Sequence, residues 1–175
     1  VNKIKPGLHF VFRNIPLHII SLLTNLLPNH SLTTKIRGFL MRPFFKSCGK
    51  GFKIASGVII NKPEKIVIGK NVYIAHNAWI NANGGLNIQD NTIIGPFSVL
   101  ATSKHKFING VASNQADSNP IILGEGTWLA SHVVITDGVE IGKGCLIASG
   151  AVVTSNVEGN TIIGGVPGKA IGKVI

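Results

Sequence analysis

Residues 123–154 read LGEGTWLASHVVITDGVEIGKGCLIASGAVVT, and the spacing of the aliphatic residues in this stretch decides the fold. Leu123, Leu129, Ile135, Ile141, Ile147 and Val153 recur at every sixth position. The residues that follow them carry a second, longer period. Gly124, Ala130 and Thr136 return as Gly142, Ala148 and Thr154, eighteen positions on. A six-residue unit nested in an eighteen-residue one means three similar faces per turn. A face that short buries nothing alone, so the units must stack. Stacking puts the aliphatic residues in a continuous interior column and pairs each short strand with those above and below. Small residues after the aliphatic ones allow tight corners. The apolar period excludes an amphipathic helix, and the short units exclude a βαβ sheet.

The same step extends toward the N-terminus. Ile88, Ile94 and Leu100 form one set; Ile68, Ile74 and Ile80 form another; Phe52 and Val58 fit an imperfect first coil. Between Ile80 and Ile88 the step is eight, which places a bulge containing Gly84 and Gly85 at a corner. From Ala101 to Ile122 the repeat breaks for a long polar excursion containing His105. A long loop without structure of its own on a rigid scaffold is usually functional. The expected organisation is an all-β solenoid over residues 51–175, with an extended loop at 101–122, preceded by a helical segment at 1–50.

In that N-terminal segment, residues 8–28 are apolar, but Arg13, Pro16 and His18 interrupt them, which argues against a membrane span. From Leu17 to Leu27 the pattern is helical. Ile19, Ile20, Leu22, Leu23, Leu26 and Leu27 fall on one half of the wheel, and His18, Ser21, Thr24 and Asn25 on the other. Ser31 reads as the N-cap of a second helix with Leu32, Ile36, Phe39 and Leu40 as its apolar stripe, stopped by Pro43. These stripes either pack on the fold or a neighbouring subunit, or dock peripherally on a membrane with help from Lys3, Lys5, Arg13, Lys35, Arg37, Arg42 and Lys46.

Composition agrees with many regular turns. Hydrophobic residues make up 45% of the 175, aromatics only 6%, and 21 residues are Gly. The formal net charge is +10, yet the basic residues are scattered and not interleaved with aromatics, so no nucleic-acid partner is expected. Cys48 and Cys145 are too few and too far apart for a disulfide framework or a zinc site, and read as small buried residues in a reducing compartment. No signal-peptide cleavage pattern is evident. The expected location is the cytoplasm, at the inner face of the membrane if the helices dock there.

Three segments, IQDNTIIGPFSVLATSKH (88–105), PIILGEGTWLASHVVITDGV (120–139) and IGKGCLIASGAVVTSNVEGNTIIGGVPGKA (141–170), resemble the hexapeptide-repeat acyltransferases. The resemblance is to the branch holding maltose and galactoside O-acetyltransferases and the streptogramin acetyltransferases. The first 50 residues look more like acetyltransferases of bacterial surface-polysaccharide pathways. The resemblance implies a left-handed parallel β-helix, against the usual right-handed crossover. It also implies a homotrimer with active sites at subunit interfaces, acetyl-CoA as co-substrate, a sugar or glycan acceptor, and no metal.

It further implies roles for single residues. His105 stands where the family carries its catalytic histidine. A hydroxyl is a poor nucleophile until its proton is removed, and a histidine suits that task. Asn77 matches an asparagine near the acceptor, with Asn81 and Asn83 as further acceptor contacts; Asn77 also reads as a corner residue held by local hydrogen bonds. Trp128 matches a tryptophan near the acyl donor. The backbone at Ala130 and Ser131 matches the N–H that holds the thioester oxygen. Ser149 and Thr154 lie along the expected pantetheine groove, and Lys169 stands near the nucleotide phosphates. Three departures stand out. Lys106 and Phe107 follow His105 where a proline or small residue is common. Ser155 replaces a common lysine. The carboxylate found in the galactoside branch near Asn77 is missing.

The expected activity is O-acetylation of a sugar in capsule, lipopolysaccharide or exopolysaccharide assembly. An antibiotic O-acetyltransferase and a sugar N-acetyltransferase share the chemistry. A γ-type carbonic anhydrase would need three histidines around zinc, for which His76, His105 and His132 are available without the spacing of that family. A non-catalytic scaffold is the remaining alternative.

Overall fold

A computed structural model describes residues 10–175; Lys3, Lys5 and His9 lie outside the described residues. From Ser47 onward the chain winds into a β-solenoid of about six turns with three faces. The first face stacks Ser47–Cys48, Ile66–Ile68, Leu86–Ile88, Ile121–Leu123 and Glu140–Ile141 in parallel. The second stacks Lys53–Ile54, Tyr73–Ile74, Ile93–Ile94, Trp128–Leu129, Leu146–Ile147 and Thr161–Gly164, and Lys169–Lys173 closes it antiparallel. The third stacks Ile59–Asn61, Trp79–Asn81, Val99–Ala101, Val134–Ile135 and Val152–Val153.

The register sets each repeated aliphatic residue on its counterpart. Leu129 pairs with Ile94 below and Ile147 above, and Ile135 with Leu100 and Val153. All six are sealed from solvent. Each such side chain contributes about 1.5–3 kcal/mol by leaving water, and the next coil always supplies its partner. The corner after the first face needs a left-handed residue, which Gly51, Asn71, Asn91, Gly126, Gly144 and Asn160 supply in turn. Gly84 sits in the predicted corner bulge, where a Cβ would collide with the backbone of Asn119. Cys48 and Cys145 are both free thiols, and burial raises the pKa of Cys48.

Two helices, α1 (Ile15–Asn25) and α2 (Ser31–Met41), cover the N-terminal end of the solenoid. α2 is capped one residue earlier than expected. His30 Nδ1 accepts from Leu32 N–H, and Thr33 Oγ1 accepts from His30 N–H. Of the packing alternatives, the stripes do not take the one on the chain's own fold. α1 buries Leu17 and Thr24, α2 buries Thr34, Arg37, Gly38 and Met41, and apart from Ile20, which packs partly on the core, both apolar stripes face outward.

Specific polar contacts hold this packing. Arg37, fully buried, donates to the carbonyls of Thr24 (2.8 Å), Ile54 (3.0 Å) and Leu27 (3.3 Å). It thereby ties the end of α1 to the first coil, and desolvation lowers its pKa. Asn25 and Asn29 accept from the backbone N–H of Gly57 and Ser56. Gly38 lies against the Phe52 carbonyl, where a Cβ would not fit. Arg13 donates to Phe44 O and Arg42 to Cys48 O. Arg13, Arg37 and Arg42, grouped in the sequence with the membrane-docking cations, therefore serve the protein's own carbonyls.

Candidate active site

The excursion after Ala101 is an ordered arm and not a structureless loop. Ser103–Ile108 and Val111–Ser118 pair antiparallel, closed by Asn109 and Gly110 at φ 51° and 78°. An Asn-Gly pair between two strands is the strongest short hairpin signal a sequence carries. The six-residue period does not register it. The arm leaves the corner between the third and first faces.

His105 stands exposed on the first strand of the arm, opposite Ala116, just before an irregularity in the pairing. Its Nδ1 lies 2.9 Å from the carbonyl oxygen of Ser113. A carbonyl only accepts, so this hydrogen bond places the proton on Nδ1. In the neutral ring Nε2 then carries the free lone pair, the tautomer a general base needs. Lys106 reaches across the arm to Asp117 at 2.9 Å, and Lys104 approaches Asp137 at 3.9 Å. At the base of the arm, Asn81 Nδ2 donates to Ser103 Oγ and Asn81 Oδ1 accepts from Asn83 N–H. Thr102 Oγ1 bridges Asn81 O and Gly84 N–H. Asn81, Asn83 and His105 thus share one corner of the coil.

A second group gathers along the second face and the corner that follows it. Trp128 is half exposed between Ile93 and Leu146. Ala130 follows the buried Leu129, and Ser131 and Ser149 occupy equivalent corner positions on successive coils. The Ser131 N–H donates to no group among the described residues. On the bottom coil the equivalent N–H, that of Ser56, donates to Asn29 Oδ1 at 2.9 Å. That contact marks where an acceptor oxygen sits on this corner. Lys169 is exposed on the closing strand beside Gly164 of the same face.

Thr154 and Asn77 do not join the groups assigned to them. Thr154 follows Val153 of the third face, on the side of the arm. Asn77 lies at the corner before the third face, one strand away from Asn81. It holds a left-handed φ of 58° and donates its N–H to Ser56 O, so the corner alone accounts for an asparagine there. Phe97, one coil above Asn77, stacks on His132 at 5.0 Å and meets His76 edge-on at 5.4 Å. These two histidines are therefore interleaved with an aromatic ring and remote from the arm. No group of three metal-ligating side chains forms among the described residues.

Within one chain, the arm histidine stands at one corner of the coil and the Trp128–Ser149 group at another. A groove of about 800 Å³ lies elsewhere, between α1 and Val58–Glu64. It adjoins neither group.

The chain matches the bacterial transferase hexapeptide (six repeats) family model over residues 120–155. It is 31% identical to the galactoside O-acetyltransferase of Escherichia coli (strain K12) over 149 residues, 83% of this chain and 73% of that one. The chain belongs to the hexapeptide-repeat acetyltransferases. A solved galactoside acetyltransferase in complex with coenzyme A superposes with a TM-score of 0.81 at 26% identity, covering 95% of this chain and 83% of that one. The putative colanic acid biosynthesis acetyltransferase WcaF of Escherichia coli (strain K12) is 30% identical over 103 residues, 59% of this chain and 56% of that one. This acetyltransferase thus shares with its galactoside relative most of the coil, while its match to the colanic acid protein is confined to part of it.

Proposed function

We propose that this acetyltransferase moves the acetyl group of acetyl-CoA directly onto a sugar hydroxyl, with His105 as general base, at sites shared between the subunits of a homotrimer. The observation that carries the reading is the Nδ1 contact with Ser113 O, which leaves Nε2 as a free base on an exposed arm. Nε2 takes the acceptor's proton as its oxygen attacks the thioester carbonyl. The carbonyl oxygen gains charge, and the Ser131 N–H is the donor available to receive it. Collapse breaks the C–S bond, and the departing thiolate takes the proton back from His105. No acyl-enzyme is needed. The donor's pantetheine arm would follow Ala130, Ser131 and Ser149, with Trp128 beside it and Lys169 toward the anionic nucleotide. Asn81 and Asn83, at the foot of the arm, are the acceptor contacts nearest His105, with Asn77 offered by a neighbouring chain and Thr154 at the rim.

The kinship with a galactoside O-acetyltransferase supports a sugar acceptor, and that with a colanic acid protein supports a role in surface-polysaccharide assembly. Titration calorimetry with acetyl-CoA is expected to saturate near about one equivalent per chain. An acceptor screen that follows CoA thiol release should then yield a base-labile ester. A base-stable amide would move the reading to N-acetylation, and a folded protein that binds no donor would remove it. Shared sites are tested by mixing two inactive variants. His105→Ala with the groove-blocking Ser149→Trp should restore roughly a quarter of the activity in randomly assembled trimers, because one chain's histidine meets another's intact groove. No recovery would place each site within one chain.

A further inference from the structure

The two helices turn their apolar stripes away from the protein. Along α1, Ile15, Ile19, Leu22, Leu23 and Leu26 follow the helical period, and Leu26 is 81% exposed. Phe12 precedes them on the same side of the sequence pattern, 72% exposed. Along α2, Leu32, Ile36, Phe39 and Leu40 do the same, with Phe39 68% exposed. The opposite sides of both helices are anchored on the coil through Leu17, Thr24, Arg37 and Met41, so neither helix can roll its stripe inward without breaking the Arg37 contacts. Large apolar side chains exposed in such number on two neighbouring helices of a folded protein mark an interaction site.

The charge distribution identifies the occupant. Ten Lys and Arg and no Asp or Glu precede Glu64, whereas the remaining 112 residues carry seven of each sign. The whole net charge of the chain therefore resides in the segment that carries the stripes. Lys35 on α2, and Lys46, Lys50 and Lys62 on the adjoining first coil, are exposed and make no ion pair among the described residues. A second copy of this surface would bring cations against cations with Glu64 as the one carboxylate lining the adjoining groove. An anionic bilayer offers both an apolar layer for the stripes and a negative surface for the rim. No helix among the described residues is long and apolar enough to cross a membrane, so contact would lie in the plane of the interface.

We propose that the α1–α2 face is a peripheral membrane-docking surface that binds anionic lipid bilayers. The helices cap the N-terminal end of the coil, on the strand Lys53–Ile54 that ends the second face, whereas Trp128 lies on the middle strand of that face, three strands away, and Lys169 on the strand at its opposite end. Docking therefore leaves the donor groove open. In a cyclic assembly the copies of this end share one side, so several faces would engage one bilayer and strengthen weak single contacts.

The test is co-sedimentation of the full chain with vesicles of phosphatidylcholine alone and of phosphatidylcholine with phosphatidylglycerol. The protein is expected to bind the anionic vesicles preferentially and to release as ionic strength rises. Leu26→Asp and Phe39→Asp should each lower the partition coefficient by roughly tenfold or more. Oligomeric state, melting temperature and acetyl transfer to a soluble acceptor should stay unchanged. Lys35→Glu should weaken binding to anionic vesicles and leave the small binding to neutral ones alone. Equal binding to both vesicle types, or none, overturns the proposal. So does dissociation of the oligomer by Leu26→Asp or Phe39→Asp with vesicle binding intact, which would make the face a subunit contact. The readout does not depend on the acceptor or on His105, so it stands or falls apart from the proposed reaction.

Discussion

The coil and the helices treat the same residue types in opposite ways. Ile94, Leu100, Leu129 and Ile135 are sealed inside the solenoid, whereas Leu22, Leu23, Leu26 and Phe39 stand mostly in the open. In the coil every aliphatic side chain has a counterpart one rung away, so burial needs nothing outside the repeat. The helices sit on the coil through polar contacts instead: buried Arg37 donates to three carbonyls, and the exposed Asn25 and Asn29 accept from two backbone N–H groups. Apolar stacking therefore carries the stability of the coil. Hydrogen bonds set how the helices sit on it, which frees their apolar stripes for something beyond the chain.

If that contrast holds, truncation has very different effects in the two regions. Leu129→Ala opens a cavity between two rungs and should cost about 2–5 kcal/mol in chemical denaturation. Arg37→Ala strands the carbonyls of Thr24, Leu27 and Ile54 and should cost about 3 kcal/mol. Arg37→Lys should recover only part of this, because one ammonium does not match the spread of the guanidinium fork. Asn29→Ala removes the exposed pair of contacts with Ser56, to its N–H and its Oγ, and a long one from Arg37, and should cost about 1 kcal/mol by the same measurement. Leu26→Ala should change stability by less than about 0.5 kcal/mol. A loss at Leu26 as large as that at Leu129 would mean that the stripe is buried in the assembly, and the contrast would collapse.

Much of the coil was legible because its period is strict. The run from Leu123 to Val153 predicts the faces, the interior column and the corners, and the step of eight at Ile80–Ile88 predicts the bulge at Gly84 and Gly85. The arm was legible only in part. The break in the period marks its place, but its strands are announced by Asn109 and Gly110, a signal of another kind. The facing of the helices was not legible, because a helical wheel separates two sides without saying which meets the core. Here buried Arg37 decides, and an arginine in sequence reads as surface. The hand of the coil does not follow from any spacing and entered through the family resemblance alone. Among candidate site residues, His105 was visible as the one histidine in the break. The separation of its corner from that of Ser131 and Ser149 depends on how the chain winds, and no linear pattern displays it.

The most direct test of the catalytic account is steady-state kinetics of His105→Ala alongside calorimetric binding of acetyl-CoA. The account predicts a fall in kcat of about 10²–10⁴ with donor affinity unchanged, as expected when only proton removal is lost. Turnover close to that of the unmodified enzyme would contradict it, and the base would have to be sought off the arm.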